Sequence, residues 1–193
     1  REVELGRCPV ATDGRRLQGF RTLGATRGLA FSDRALYVGR LDPEGSTPWS
    51  CVPAAGERPR PGGGPPAEVE SISDVVVRPE GLYACAQLRV APCRPGQAAV
   101  LTSTSVDPPA WSVLWEGPPG PACRALLERP DGAPGVRVRL DQRLFDLDPS
   151  GTAVEAPEVS AAWGDAPGAN ATIDLDGTLV LLFGPGGRLH LVP

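Results

Sequence analysis

Four times along the chain a short apolar run gives way to a polar turn and then to a second β-rich run: at residues 29–38, 75–84, 125–138 and 172–180. The copies follow one another at roughly 45 to 55 residues, the interval at which a unit too small to bury its own apolar face stacks against further copies of itself. The turns are rich in Gly, Pro and Asp: Pro79-Glu80-Gly81 in the second copy, Pro130-Asp131-Gly132 in the third and Asp176-Gly177 in the fourth. The third copy carries an insertion, Ala133-Pro134-Gly135, before Val136 resumes the pattern. Such a chain folds as a series of small antiparallel sheets, one per copy.

The rest of the sequence agrees with that reading. Gly (24) and Pro (23) punctuate the apolar runs, as in many short strands joined by tight turns. No long stretch keeps a 3.6-residue apolar period, so little helix is expected. A second element also recurs: an Asp-Pro turn, at 42–43, 107–108 and 148–149, ahead of the last strand of the first three copies. The fourth copy ends without such a strand. The segment 15–23, conversely, precedes the first hairpin without an obvious partner, and it is expected to complete the last unit and so remove an open sheet edge. Residues 53–66, with Gly62-Gly63-Gly64, read as a flexible surface loop. One domain over 1–193 is expected, with repeats at about 24–70, 71–121, 122–168 and 169–193.

The first run of each copy is the more continuously apolar, as in a strand buried on both faces, whereas the later runs alternate or carry a Trp, as at Trp49 and Trp111. In this gradient and in its four repeats the chain resembles the β-propeller class, and its size resembles four-bladed members such as haemopexin-like domains. The resemblance implies an all-β fold: a small β-propeller of four repeats, with the N-terminal strand closing the last blade. Ser105, Asp107 and Trp111 are similar to the Asp-box turn of sialidase-type propellers, although Pro109 stands where that pattern has glycine. An Asp-box is a structural turn and places no catalytic group.

The net charge of −4 is spread without an acidic or basic block, which argues against a nucleic-acid partner. No apolar run is long enough for a membrane-spanning helix, so no membrane insertion is expected. The five cysteines, Cys8, Cys51, Cys85, Cys93 and Cys123, lack CxxC spacing and a neighbouring His, which disfavours zinc. Disulfides in an extracytoplasmic setting (secreted, periplasmic or cell surface) are expected instead, with Cys85–Cys93 as the pair a local turn would bring together and small buried thiols as the alternative. The chain begins at Arg1, which fits a removed leader or an excised domain.

Catalytic constellations are sparse. His190, the lone histidine, lies between Leu189 and Leu191 in an alternating run and reads as a strand residue. Asp146 and Asp148, followed by Gly151, match the opening of a calcium loop, but Val154 and Pro157 stand at its ninth and twelfth positions, so a plain turn is expected. Trp49, Trp111, Trp115 and Trp163 are expected to fill space between neighbouring blades rather than to stack on sugars. Asn170-Ala171-Thr172 fits a glycosylation sequon and is taken as incidental. No metal or cofactor is expected.

The remaining signal is a set of charged residues in or beside the first turn of each copy: Asp33 and Arg34, Arg78 and Glu80, Arg129 and Asp131, and Asp174 and Asp176. Rotational symmetry would collect them on one face of the disc, where loops vary without disturbing the core. The function expected is therefore a non-catalytic binding module that meets a protein or glycan on that face. The alternatives are a carbohydrate-active enzyme with paired carboxylates, and a sensor or assembly domain of a larger envelope protein.

Overall fold

A computed structural model of the chain describes residue 8 and residues 17–41, 49–90, 96–106, 108–129, 131–141, 143–156, 169–175, 178–183 and 188–192, the last three segments as backbone. Among these residues the regular structure is entirely β, in four antiparallel sheets. The first holds β1 (Gly19–Thr22), β2 (Arg27–Phe31), β3 (Ala35–Arg40) and β4 (Ser50–Pro53) in sequence order. The second holds β5 (Gly56–Arg58), β6 (Ala67–Arg78), β7 (Gly81–Arg89), β8 (Gln97–Ser103) and β9 (Ser112–Pro119). The third holds β10 (Cys123–Leu127), β11 (Val136–Leu140), β12 (Arg143–Leu147) and β13 (Ala153–Glu155), and the fourth β14 (Ala169–Leu175), β15 (Thr178–Phe183) and β16 (Arg188–Val192).

Each recurring hairpin of the sequence is a real one: β2–β3, β6–β7, β10–β11 and β14–β15 all pair antiparallel. Two expectations about the ends of the repeats are corrected. Residues 19–22 do not complete the last unit; they pair with β2, Phe20 opposite Ala30, at the edge of the first sheet. The Gly/Pro-rich stretch 53–66 is not merely a loop, because Gly56–Arg58 pairs with Ala67–Val69 as the edge strand β5. Just beyond β5 the chain reaches the opposite edge of the same sheet, where the Val113 N–H donates to the Pro59 carbonyl at 2.9 Å and Arg60 pairs with Glu116. The second sheet is thereby curled into a half-barrel.

The core explains why the second sheet occupies the middle. Side chains alternate across a strand, and in β7 both faces are apolar. Leu82, Ala84, Ala86 and Leu88 join Leu29, Phe31, Leu36 and Val38 of the first sheet in one buried cluster. Tyr83 and Cys85 join Leu126, Val138, Leu140 and Phe145 of the third sheet in another. In the second repeat the expected gradient is thus displaced by one strand: β7 is the strand buried on both faces, while β6 alternates between buried and exposed residues. In the first repeat β2 is as continuously buried as β3.

The expected Cys85–Cys93 disulfide is also corrected: Cys85 is bonded to Cys123. From Cys85 the strand β7 runs extended to Arg89, four residues at about 3.3 Å each, so the chain leaves Cys85 without a local turn. Cys123, at the start of β10, instead faces Cys85 across the interface between the second and third sheets, with the Cα atoms 5.6 Å apart. A second disulfide joins Cys8 to Cys51 of β4. Cys93 lies outside the described residues. Two disulfides are consistent with an oxidising, extracytoplasmic environment. No helix among the described residues is long and apolar enough to cross a membrane.

Candidate functional site

β6 does more than contribute a strand. Its alternation is interrupted by register shifts between Val69 and Ser71 and between Ile72 and Asp74. Such bulges re-aim side chains. The second one turns Asp74 toward both neighbouring sheets: one carboxylate oxygen accepts from Arg21 of β1 at 2.9 Å, and the other accepts the Leu126 N–H of β10 at 3.0 Å. Beside it the Ser73 hydroxyl donates to the Cys123 carbonyl at 2.9 Å, and the Ile72 N–H donates to the Asp33 carbonyl at 2.7 Å. Asp74 is bound up in backbone and guanidinium contacts. It acts as a structural junction between the first, second and third sheets.

The charged turns of the second and third copies meet above this junction. Arg78, at the end of β6, pairs with Glu128 beyond β10 at 2.8 Å. Glu80, in the β6–β7 turn, accepts the Gly135 N–H at 2.6 Å and the Tyr83 hydroxyl at 3.2 Å. Gly135 has φ of +103°, and a Cβ there would run into the Leu147 carbonyl, so the inserted segment of the third copy needs glycine at this position. Arg129 is clamped by Asp131, with Nη2 at 2.7 Å from the carboxylate. In both ion pairs the arginine is the sheltered partner: the side chains of Arg78 and Arg129 are 12% and 18% exposed, against 73% for Glu128 and 55% for Asp131.

The protonation of the cluster follows from these contacts. Burial alone would raise the Glu80 carboxyl, but hydrogen bonds from Gly135 and Tyr83, with Arg78 close by, hold it below the usual range. Burial, reinforced by the Glu80 charge, pushes the Tyr83 phenol up to about 12. The hydrogen bond with Asp131 raises Arg129 and, reciprocally, lowers Asp131. Glu80, Arg129 and Asp131 are therefore held in their charged forms and Tyr83 in its neutral one.

The remaining candidates are dispersed. The Asp33–Arg34 turn does not join this rim. Its carbonyls bind Ile72 and the Ala54–Ala55 amides, six residues along β6 from Arg78, or roughly 20 Å of extended chain. The symmetric ring of turns is therefore incomplete, because the first sheet is offset along β6. Asp174 lies on β14 opposite Leu179, and Asp176 falls outside the described residues. His190 lies on β16 opposite Leu181. In the calcium-like loop, Asp146 is held by a bidentate pair with Arg137, and Asp148 accepts from the Ser150 and Thr152 amides, which makes it a turn cap. Among the described residues no group of three His, Cys, Asp or Glu side chains is arranged to hold a metal.

The tryptophans with described side chains serve packing. Trp111 is buried in the core between the first and second sheets. Trp115 packs between the second and third, with its ring 5.4 Å from Phe145. Trp49 lies over Gly28 and Gly39 on the far face of the first sheet. Trp163 and Asp107, the aspartate of the Asp-box-like turn, fall outside the described residues. Sequence reasoning missed Asp74 and Glu128. The polar Ser73-Asp74 step within an apolar run was the available signal for the first.

No protein-family model matches the chain, and no curated protein matches it. Among solved structures it is similar to a crystal structure of a protein of unknown function from Bacteroides caccae, at 14% sequence identity and a TM-score of 0.49, over 93% of this chain and 61% of that one. The chain thus spans less than two thirds of the length of that protein.

Proposed function

We propose that this chain is a non-catalytic, extracytoplasmic binding module, and that its partner, a protein or a glycan, is met on the rim where the β6–β7 and β10–β11 turns come together. The observation that carries this reading is the outward display of Glu128 and Asp131 over sheltered Arg78 and Arg129. Two loops from different sheets are locked to each other there by the Arg78–Glu128 and Glu80–Gly135 contacts. Below them the Cys85–Cys123 bond ties the two sheets together. A rigid scaffold that presents charged loop residues costs a partner little ordering entropy on binding. The finer architecture belongs to the same proposal: the first three sheets stack face to face as propeller blades do, and the fourth repeat would be the remaining blade.

The test is a binding screen against a glycan array and purified envelope and cell-surface proteins, comparing the parent chain with an E128A/D131A variant. Because the variant also unpairs the sheltered Arg78 and Arg129, its fold is checked by circular dichroism and thermal melting beside the binding screen. Binding lost in that variant and retained in R34A supports the rim. Binding equal in all three proteins places recognition elsewhere.

A further inference from the structure

Where the second sheet curls shut, between β5 and β9, two buried donors lack acceptors. Residues opposite one another in a ladder share a face. Arg58 stands opposite Ala67 and Glu116 opposite Ala99, which puts both on the face turned to the first sheet, the face that also buries Trp111 and Val113. The two edges meet through the Val113 N–H on the Pro59 carbonyl at 2.9 Å and through Arg60 on Glu116, so Arg58 and Trp111 flank the same seam. Trp111 is 5% exposed, and its indole Nε1 is buried without a hydrogen-bond partner, as is the Nε of Arg58. The other nitrogens of Arg58 donate only to backbone carbonyls, Nη1 to Glu57 and Nη2 to Pro53 and Ala55, so among the described residues no carboxylate neutralises this guanidinium. Burial, with no charge set against it, lowers its pKa. A buried indole N–H and a sheltered cation both cost free energy until an anionic acceptor joins them.

We propose that the β5–β9 seam is a gated site for a small carboxylate, with the Trp111 indole N–H and the Arg58 Nε as its donors and the turn at residues 59–66 as its flap. A carboxylate has two oxygens, one for each donor, and it carries the negative charge that Arg58 lacks. Ala67 and Val113 line the same face, so an acid with a short apolar body fits better than a strongly hydrated oxyanion such as sulfate. Both donor atoms are sealed from solvent with the flap down, and entry requires it to lift. Its fastenings to β9 are the Val113–Pro59 bond and the Arg60–Glu116 pair, and within it Gly62 and Gly63 take φ of +81° and +77°. This site is separate from the rim proposed above, which lies at the β6–β7 and β10–β11 turns.

The test is titration of the full chain with butyrate and benzoate, against sulfate at matched ionic strength, followed by ligand-observed nuclear magnetic resonance and by hydrogen exchange. Both carboxylates should bind saturably and slow exchange of the Val113 amide, and sulfate should do neither. Trp111→Phe removes the indole N–H and keeps an aromatic ring; it should bind about tenfold more weakly, as should Arg58→Gln. Glu116→Gln, which loosens the flap, should speed exchange of the Val113 amide in the free chain. If Arg58→Gln does not fold, Trp111→Phe decides. No saturable binding of either carboxylate, equal binding of sulfate, or unchanged affinity in Trp111→Phe overturns the site, and Val113 exchange unchanged in Glu116→Gln overturns the gate.

Discussion

The Asp74 carboxylate receives the Arg21 guanidinium at 2.9 Å, and this ion pair joins the edge strand of the first sheet to the bulge in β6. Because the other oxygen of Asp74 takes the Leu126 amide, one side chain links three sheets. Asp74→Ala is expected to cost about 2–3 kcal/mol, since it leaves a part-buried amide without its partner and Arg21 without its counter-charge. Chemical denaturation measures this. Asp74→Asn, which keeps an acceptor for Leu126, should lose less, and equal losses would mean that the charge is the whole of the effect.

Gly39→Ala is expected to destabilise by about 1–3 kcal/mol, as overpacking does. A Cβ at that position would stand against the Trp49 indole, and one at Gly28 would meet both Trp49 and Phe20. Replacing Trp49 by Leu in the Gly39→Ala background should recover part of the loss. Thermal melts of the four proteins give the coupling directly.

Removing the buried disulfide as C85A/C123A should cost about 3–4 kcal/mol, on the chain-entropy model for cysteines 38 residues apart. Peptide mapping without reduction should recover Cys85 with Cys123. Recovery of Cys85 with Cys93 would overturn the packing of the second sheet on the third.

The Glu80–Tyr83 contact makes stability depend on pH at both ends. Glu80 is lowered in the folded state, so its contribution is present above its unfolded value and is lost as the pH falls through the folded one. Tyr83 is raised to about 12, so its contribution is full below the ordinary phenol value and is lost as the pH rises toward 12. Stability measured against pH should therefore decline in acid and in strong alkali. Glu80→Gln should flatten the acid limb and Tyr83→Phe the alkaline one. An alkaline limb unchanged in Tyr83→Phe would show that another group governs it.

Much of the strand order was legible because a hairpin is written locally. Leu82-Tyr83-Ala84 after Pro79-Glu80-Gly81 declares its own turn, and β6–β7 formed as expected. What was not legible depended on contacts between distant segments. Gly56–Arg58 has no apolar alternation and becomes a strand only because β6 offers it an edge. Gly19–Thr22 fits either of two edges by pattern, and pairing with Phe31 and its neighbours decides between them. Cys85 and Cys123 are far apart in sequence and meet only once two sheets stack. The charged turns are individually legible, but rotational symmetry does not reach Asp33–Arg34, whose carbonyls take the Ile72 and Ala54–Ala55 amides, away from the rim.

That β7 is apolar on both sides limits how such an array can grow or shrink. A copy lost from the interior would leave Leu82, Ala84 and Leu88 on one face, or Tyr83 and Cys85 on the other, with nothing to cover them. The second repeat, covered on both faces by its neighbours, is therefore the least dispensable of the first three.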